Sequence, residues 1–595
     1  MEKSNQFSRR DFLKGAAIAG AGAATIAVAG CSTPAAGEPT DVNGGTTSAA
    51  SGLPTNWDQT VDVVVVGTGC GLAAAIEAKE AGADVLILEK NDFVGGLFCT
   101  AGGNSIWGGT KIQKEYGIED NKEDWYEDEL YGCNFRTEPE WVRTYVDRAD
   151  EMIEWFEDLG MVWATDGVYQ HPETHRVCRT HYPAPSNDYP TSALTVVQGG
   201  HAYTYIMNKK VEELGIPILF KHRMTKIWRD GDGPVVGVEV QTEDGTINVK
   251  AKKGVILCTG TWTDNERLCE QYDPRIVGPN AWGDGGTPCD GTLFTDSSAD
   301  GHIAAAEIGA AFTDMAFVCY LYLFYGSRSY WGCEPVDFTD GRNIQPGKGV
   351  VRNADFFNSI ILVQDEGKRY IDESLGAPAN LPWAENRALP LPVSGSLTEN
   401  PEWPFTAKYL SLPNPRNVWA IGDATIAANL KWPLDQINDP NPKLDQMFDP
   451  ECVAVADTIE ELAEKMGIDA ATLKETIDTY NGYVDAGVDA DFGKETMLSK
   501  IETGPFYGLK ASLIRHTQRN GIRVNTKSQC VSVLQPDDDM SVPQSINDEA
   551  VIPHLYAAGE LGNIMGYRRP HGSMGNYALA ARIAGENAAK ETPID

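Results

Sequence analysis

Residues 61–90 read VDVVVVGTGCGLAAAIEAKEAGADVLILEK. The apolar run from Val61 to Val66 predicts a buried strand. A glycine turn follows, then a helix of small residues from Leu72 to about Ala81 and a second strand from Val85 to Leu88. Glu89 stands at the tip of that second strand. This order of strand, turn, helix, strand and acid predicts a nucleotide-binding βαβ unit.

The turn carries three glycines, Gly67, Gly69 and Gly71. Glycine lets the backbone turn tightly and approach a pyrophosphate, and the following helix start offers free N–H groups and a positive dipole end. Glu89 is placed to accept hydrogen bonds from a ribose hydroxyl. The turn is one residue shorter than the usual G-x-G-x-x-G, since Leu72 follows an early third glycine. An ordinary strand–turn–helix of an α/β core is the alternative interpretation.

Several later segments place glycines or polar residues beside predicted strand ends and helix starts. These positions are Lys90, Gly95-Gly96, Gly102-Gly103, Thr259-Gly260, Glu560, Asn576 and Ala578.

Together these segments resemble the flavoprotein family of fumarate reductases, succinate dehydrogenases, urocanate reductases and 3-ketosteroid dehydrogenases. The resemblance covers nearly the whole chain after residue 57. It implies FAD as the tightly held cofactor, bound by Gly67, Gly69, Gly71, Glu89, Lys90, Gly95, Gly96, Gly102, Gly103, Thr259, Gly260, Glu560, Asn576 and Ala578. It also implies an α/β fold in which a split, Rossmann-like FAD-binding domain carries an inserted α+β capping domain.

The resemblance and the composition together predict five regions. They are a twin-arginine signal with a candidate lipobox at 1–31, a flexible linker at 32–56, the first part of the FAD-binding domain at 57–272, the capping and substrate domain at 273–500, and the second part of the FAD-binding domain at 501–595.

The N-terminus is interpreted as a targeting segment. Residues 8–14 read SRRDFLK, a twin-arginine signature, and a Gly/Ala stretch too short for a convincing spanning helix follows. The pattern predicts export by the Tat pathway. Val28-Ala-Gly-Cys31 resembles a lipobox, so lipid attachment at Cys31 to the cell membrane and simple signal cleavage nearby stay as alternatives.

Net charge and cysteine usage exclude several classes of function. The net charge of −36 argues against nucleic acid or an anionic membrane surface as a partner, and an anionic substrate would need local Arg or Lys. None of the twelve cysteines forms a C-x-x-C pair, which excludes covalent c-type haem on this chain and argues against a zinc ribbon. No metal site is predicted. Buried free thiols are expected, with long-range disulfides or a dispersed iron–sulfur site left open.

The resemblance implies hydride transfer from flavin N5 to the β-carbon of an electron-poor C=C bond, with a side-chain acid protonating the α-carbon. The charge that develops on the activating group needs fixed donors or cations. The family's acid, an Arg in fumarate reductases, aligns with Gly376, and its Thr-Glu pair that grips a carboxylate aligns with Arg352-Asn353. Two fumarate-specific features are therefore missing, and fumarate itself is not the predicted substrate.

The C-terminal stretch supplies the catalytic candidates. Arg569 aligns with the family's carboxylate-binding Arg, and its planar fork suits bidentate pairing with an acid. His516 aligns with one histidine of the family's substrate motif, with a buried core histidine as the alternative. Tyr567 and His571 are the remaining candidates for the acid.

These residues predict an exported FAD-dependent oxidoreductase acting on CH–CH groups, which reduces an α,β-unsaturated, preferably aryl, carboxylate and serves anaerobic respiration. A 3-ketosteroid or unsaturated-lactone reductase or dehydrogenase is the alternative enzyme. A non-catalytic electron-relay flavoprotein is the alternative of another class. Because no second carrier domain is evident, a separate electron donor, a cytochrome or a flavoprotein, is expected as a partner.

Overall fold

The computed structural model describes the following part of the chain: 52–101, 103–132, 137–164, 177–184, 199–262, 265–272, 282–283, 297–313, 315, 319–324, 354–376, 408, 411–414, 417–430, 453–517, 521–535, 538, 541, 544–563 and 574–595.

The helices are named in chain order. They are α1 (Gly71–Glu80), α2 (Gly96–Thr100), α3 (Lys111–Glu115), α4 (Lys122–Gly132), α5 (Pro139–Asp158), α6 (Gly199–Glu213), α7 (Glu266–Tyr272), α8 (Asp300–Glu307), α9 (Ala354–Ser359), α10 (Ala424–Asn429), α11 (Ile459–Met466), α12 (Ala470–Ala486) and α13 (Met574–Lys590), with a 3₁₀ helix at Glu373–Gly376.

The strands are named in the same way. They are β1 (Gln59–Val66), β2 (Val85–Leu88), β3 (Ser105–Ile106), β4 (Thr180–His181), β5 (Ile218–Leu219), β6 (Arg223–Arg229), β7 (Val235–Thr242), β8 (Gly245–Leu257), β9 (Trp282–Gly283), β10 (Phe312–Thr313), β11 (Cys319–Phe324), β12 (Ile361–Val363), β13 (Val418–Asp423), β14 (Val453–Ala456), β15 (Phe506–Thr517), β16 (Gly521–Arg523), β17 (Gln529–Val531), β18 (Val551–Ala557) and β19 (Gly562–Asn563).

Strands between residues 59 and 257 and strands between residues 529 and 557 share one eight-stranded sheet. Its strands run in the order β17-β18-β8-β1-β2-β5. In addition, β7 pairs with β8, and β6 pairs with β7. β1 pairs in parallel with both β2 and β8, and β18 pairs in parallel with β8. Residues 63–66 of β1 are all buried valines, as expected for a central parallel strand covered on both faces.

Helices α1 and α13 pack together against this sheet because their contact faces carry small residues. Seven of the ten residues of α1 are buried, and four of those seven are alanines. A Cβ at Gly585 of α13 would collide with the backbone carbonyl of Ala74 and lie 3.1 Å from the Cβ of Glu77. A helix of small residues therefore lets the C-terminal helix approach the nucleotide-type turn closely.

A second sheet of six strands is built from the middle of the chain. It has the order β11-β15-β13-β12, and β14 and β9 also pair with β15. Its apolar face and helices α11 and α12 form a second cluster of buried side chains, which includes Ile361, Ile421 and Leu509. The two clusters agree with the mixed α/β class that the sequence predicts.

A buried network of charges lies in this second cluster. The Glu373 carboxylate accepts hydrogen bonds from Arg369 Nε at 2.9 Å and Nη2 at 2.7 Å, and from the Leu362 N–H at 3.1 Å. Arg369 also pairs with Asp489 at 2.9 Å, and Lys494 Nζ lies 3.2 Å from Glu373. Burial raises the pKa of Asp489, but the hydrogen bond and charge of Arg369, together with backbone N–H donors of Lys494 and Phe492, outweigh burial and leave that pKa below its ordinary value.

In the described part of the chain, no helix combines the length and the apolar character that crossing a membrane requires. The same residues contain no cluster of three or more His, Cys, Asp or Glu side chains arranged to hold a metal ion.

The buried network predicts a large stability effect. Glu373→Gln should lower the free energy of unfolding by about 3–5 kcal/mol, because it leaves two buried cations with one carboxylate. Urea unfolding followed by circular dichroism measures this. The control is Asp478→Asn, which removes an exposed pair with Lys474 and should leave the midpoint unchanged. Equal midpoints for both variants would contradict the assigned role of Glu373.

Candidate functional site

The strand ends of the large sheet meet along one edge. The Cα partners are Val66 with Leu88, Val66 with Leu257, and Leu257 with Ala557. Since these strands are parallel, the segments that follow each of them open at the same edge. Ligands of open α/β sheets bind in this crevice, beyond the carboxyl ends of the strands.

The shortened glycine turn is closed and tightly packed. Gly67 has a φ of +100°, and a Cβ there would collide with the carbonyl oxygen of Cys258 and lie 3.0 Å from its carbonyl carbon. A Cβ at Gly69 would lie 3.1 Å from the Phe98 Cβ, and one at Gly71 would lie 3.0 Å from Val65 Cγ1. Close approach therefore requires glycine at position 67, and at positions 69 and 71 a side chain would force its neighbours to shift.

Thr68 joins three of the predicted segments and was missed by sequence reasoning. Its hydroxyl donates to Glu89 Oε2 at 2.5 Å and accepts from the Gly95 N–H at 2.8 Å. Its own N–H donates to the same Glu89 oxygen at 3.0 Å. The first turn, the acid and the second glycine pair are thus held together by one small side chain.

The Glu89 carboxylate is buried and has a structural role that the sequence did not predict. Its second oxygen, Oε1, accepts from the Asn91 N–H at 2.9 Å and from Asn91 Nδ2 at 2.8 Å. The four acceptor positions of a carboxylate are thereby used by Thr68 and Asn91. Contact with a ribose hydroxyl stays a prediction, and it requires a ribose to replace or share one of these donors.

Unpartnered polar groups lie beside the end of β8. The hydroxyl of Thr259 is buried and has no hydrogen-bond partner among the described residues, and both ring nitrogens of His302 share this condition. A Cβ at Gly301, between them, would collide with that hydroxyl. Gly260 has a φ of +74°, and a Cβ there would meet open space. Burial lowers the pKa of His302 to about 3, so its ring is neutral at ordinary pH.

Lys90 stands at the rim of the crevice within a network of polar side chains. Its Nζ donates to Ser298 Oγ at 3.0 Å and lies 4.0 Å from Asp300. Arg223 pairs with both oxygens of Asp300, at 2.9 and 2.6 Å. The stretch Ser-Ala-Asp-Gly-His at 298–302 was the available sequence signal for this contact, because it directly precedes a predicted helix.

The start of α13 is fixed to the predicted Gly103 segment. The Met574 N–H donates to the Asn104 carbonyl at 2.9 Å, and the Gly575 N–H donates to Ser105 Oγ at 3.0 Å. Asn576 and Ala578 of this helix, which are predicted to bind the cofactor, are buried. The predicted Glu560 accepts a hydrogen bond from Tyr577 at 3.2 Å, which brings the end of β18 to the same helix.

The catalytic candidates fall largely outside what the structure describes. Arg569, Tyr567 and His571 lie outside the described residues, as does the predicted cofactor residue Gly102. His516 lies on β15 next to Thr517, which pairs with Cys319, but its side chain is not described. The role of each of these residues stays a prediction.

The described edge fits a bound dinucleotide. The glycine turn opens α1, whose positive dipole end favours a pyrophosphate. The unpartnered Thr259 hydroxyl and the open space at Gly260 offer a donor and room for a ligand. In this arrangement the turn, Thr259 and Gly260 would hold the cofactor, and Lys90 would stand at its entrance.

Comparison with known families gives two matches. The family described as FAD binding domain matches residues 62–575, which is most of the chain. The TAT (twin-arginine translocation) pathway signal sequence matches residues 6–25, so the predicted export by the Tat pathway is confirmed.

Individual relatives are similar along most of the chain. Urocanate reductase of Eggerthella lenta is 29% identical over 91% of this chain and 76% of its own length. Digoxin reductase of the same species is 28% identical over 98% of this chain and 97% of its own. Acrylate reductase flavoprotein subunit of Shewanella woodyi is 25% identical over 96% of each chain.

A solved structure, the open conformation of a flavocytochrome c3 fumarate reductase, has a TM-score of 0.66 at 23% identity. It covers 99% of this chain and 82% of that one. At this identity the likeness shows the fold. The predicted cofactor, FAD, and the predicted fold class are both confirmed by these findings.

Two glycines with the same kind of backbone conformation test the packing of the turn. Gly67→Ala should leave the purified protein without FAD, because the new Cβ collides with Cys258. Gly82→Ala carries a similar strain, with a φ of +88°, but its Cβ meets nothing within 4 Å, and it should retain FAD. The ratio of flavin absorbance to protein absorbance measures both. A Gly67→Ala protein with full flavin content would contradict the assigned geometry.

Proposed function

We propose that this chain reduces the C=C bond of an α,β-unsaturated aryl carboxylate. The chain belongs to the FAD binding domain family and is an FAD-dependent, fumarate reductase-like oxidoreductase acting on CH–CH groups. One observation carries the flavin chemistry of this proposal. The Gly67 turn, Glu89 and Thr259 lie at the carboxyl edge of the sheet in an arrangement that fits FAD. The relatives include reductases of urocanate and acrylate, which supports an unsaturated acid.

FAD, when bound, supplies the hydride for the β-carbon of the double bond. The chain's described residues hold the cofactor end of the site. Thr68 ties the glycine turn to Glu89, and Lys90 stays at the rim through Ser298. His302 lies beside Gly521, where a Cβ would be 3.3 Å from its Nε2. Because burial lowers the pKa of His302, its ring is neutral and adds no charge to this region.

The substrate end of the proposed site depends on the C-terminal candidates. Arg569 would pair with the substrate carboxylate through its two parallel N–H donors. Tyr567 or His571 would give the proton to the α-carbon, and His516 would donate a hydrogen bond to the substrate. A cation in this position also stabilises the negative charge that develops during hydride transfer. In an acidic protein, with a net charge of −36, such a local cation decides whether an anion binds.

A second candidate function is the reduction of an unsaturated lactone or a steroid enone. The similarity to digoxin reductase favours it, because that similarity runs along 97–98% of both chains. Such a substrate needs apolar walls and no arginine partner. The two candidates therefore differ in their dependence on Arg569.

We propose the layer around the six-stranded sheet as the domain that caps the flavin, with one boundary near residue 273. The other boundary is placed after β15 rather than at residue 500, because β15 pairs with β11, β13 and β14 in this sheet. Limited proteolysis with and without FAD tests these boundaries, because cleavage should concentrate near them. A separate cytochrome or flavoprotein supplies the electrons in this proposal. Failure of every such carrier to reduce the bound flavin would exclude that arrangement.

Export places the enzyme outside the cytoplasm, and we propose that a lipid on Cys31 then holds it at the cell membrane. Cys31→Ser should release the protein from the membrane fraction into the soluble extracytoplasmic fraction, because the acyl chains are lost. Fractionation and immunoblotting measure the distribution. A wild-type protein that is already soluble would show that the signal is simply cleaved.

Arg569→Ala separates the two enzyme candidates. With an aryl acrylate, kcat/KM should fall roughly 30- to 5,000-fold, which corresponds to about 2–5 kcal/mol for a broken charge pair. With a steroid enone or an unsaturated lactone, it should change little. The measurement is anaerobic stopped-flow reoxidation of the chemically reduced flavin.

The matched control is Arg143→Ala, because Arg143 pairs with Glu123 on the protein surface, at 2.8 Å. It should leave both activities at the wild-type level. Unchanged turnover of the acid by Arg569→Ala would exclude the carboxylate proposal. If neither the aryl acrylate, the steroid enone nor the unsaturated lactone reoxidises the reduced flavin, the electron-relay alternative would be favoured.

A further inference from the structure

Two cysteine thiols from distant parts of the chain lie against each other at the base of the crevice. Cys70 is the residue before α1 in the glycine turn, and Cys258 directly follows β8. A Cβ at Gly71 would lie 3.2 Å from Cys258 Cβ and 3.6 Å from its Sγ. The thiol of Cys70 interacts with that of Cys258, and both cysteines are free and buried.

The two cysteines differ in how firmly the backbone holds them. The Cys258 N–H donates to the Val66 carbonyl at 2.8 Å, and the preceding Leu257 pairs with Ala557 in the parallel ladder. Cys70 lies in the turn, outside the ladder. Its Sγ faces Gly559, where a Cβ would lie only 2.8 Å away. Formation of a bond between the two sulfurs would therefore move the turn and leave the strand in place.

We propose that Cys70 and Cys258 are a redox modification site, at which formation of a disulfide distorts the glycine turn and releases FAD. The co-reactant is a low-molecular-weight disulfide, of the kind that an exported protein meets outside the cytoplasm. One protein sulfur attacks it, forms a mixed disulfide and releases the first small thiol. The second protein sulfur, losing its proton, then attacks the protein sulfur of the mixed disulfide and releases the second small thiol. The two protein thiols lose two electrons and two protons in total, and the co-reactant becomes two thiols.

The packing gives the expected direction of the effect. A disulfide bond is shorter than a thiol–thiol hydrogen bond, so oxidation draws Cys70 toward the fixed Cys258. The turn has little room to adjust, because Gly67 lies against the Cys258 carbonyl and Gly69 against Phe98. The backbone N–H groups of this turn are the ones that face a pyrophosphate. Their displacement should weaken FAD binding.

The order of attack follows from the surroundings of Cys258. Its hydrogen bond with Cys70, together with burial, holds the pKa of Cys258 well above its ordinary value, so this sulfur stays a thiol. The first attack is therefore assigned to Cys70. If the disulfide weakens FAD binding, bound FAD disfavours the disulfide to the same extent, so oxidation should occur on the cofactor-free chain.

The experiment equilibrates the full chain in buffers of reduced and oxidised glutathione, with and without excess FAD. Peptide mapping by mass spectrometry identifies the disulfide, and quenching of FAD fluorescence gives the dissociation constant. A Cys70–Cys258 bond should form without FAD and be suppressed by FAD. The oxidised chain should bind FAD at least roughly ten-fold more weakly, and dithiothreitol should restore the affinity.

Two variants complete the design. Cys70→Ser should make FAD affinity independent of the glutathione ratio, because the sulfur that attacks first is lost and Cys258 stays a thiol. Cys530→Ala removes another buried thiol, on β17, and should respond like the wild type. Absence of a Cys70–Cys258 bond, or a bond that leaves FAD affinity unchanged, would overturn the proposal. The test uses FAD binding alone, so its outcome is separate from that of the proposed substrate.

Discussion

The site depends on the parallel pairing of β1 with β2 on one side and β8 on the other. This pairing brings Val66, Leu88 and Leu257 to one edge, and each is followed directly by a residue of the candidate cofactor site or a contact to it. The close approach of Gly67 to Cys258 exists only in this register. A shift of β8 by one residue would place a different carbonyl above the turn and turn every side chain of the strand to the opposite face.

The sequence predicted the elements around this edge well and their contacts less well. Helix α1 was expected from Leu72 to about Ala81 and runs from Gly71 to Glu80, since glycines and small residues mark it locally. Helix α5 begins with Pro139 in its first turn, a position that proline favours.

What the sequence could not provide are contacts between distant residues. The bonds from Thr68 to Glu89 and Gly95 depend on strand register and on the path of a loop. The approach of Cys70 to Cys258 depends on the pairing of strands almost two hundred residues apart, so neither cysteine stands out by itself. The helix at Asp300 begins three residues before its apolar run, after Ala299 adopts a φ of +68°.

The pairing of β18 with β8 also sets the timing of folding. One edge of β8 is completed by residues 555–557, close to the end of the chain, so that edge has no native partner until translation is almost finished. Throughout synthesis of the middle region, the ribosome-bound chain presents an open strand edge that invites pairing with other chains. The large sheet can therefore close only after residue 557 has been made, and the open edge of β8 is exposed until then.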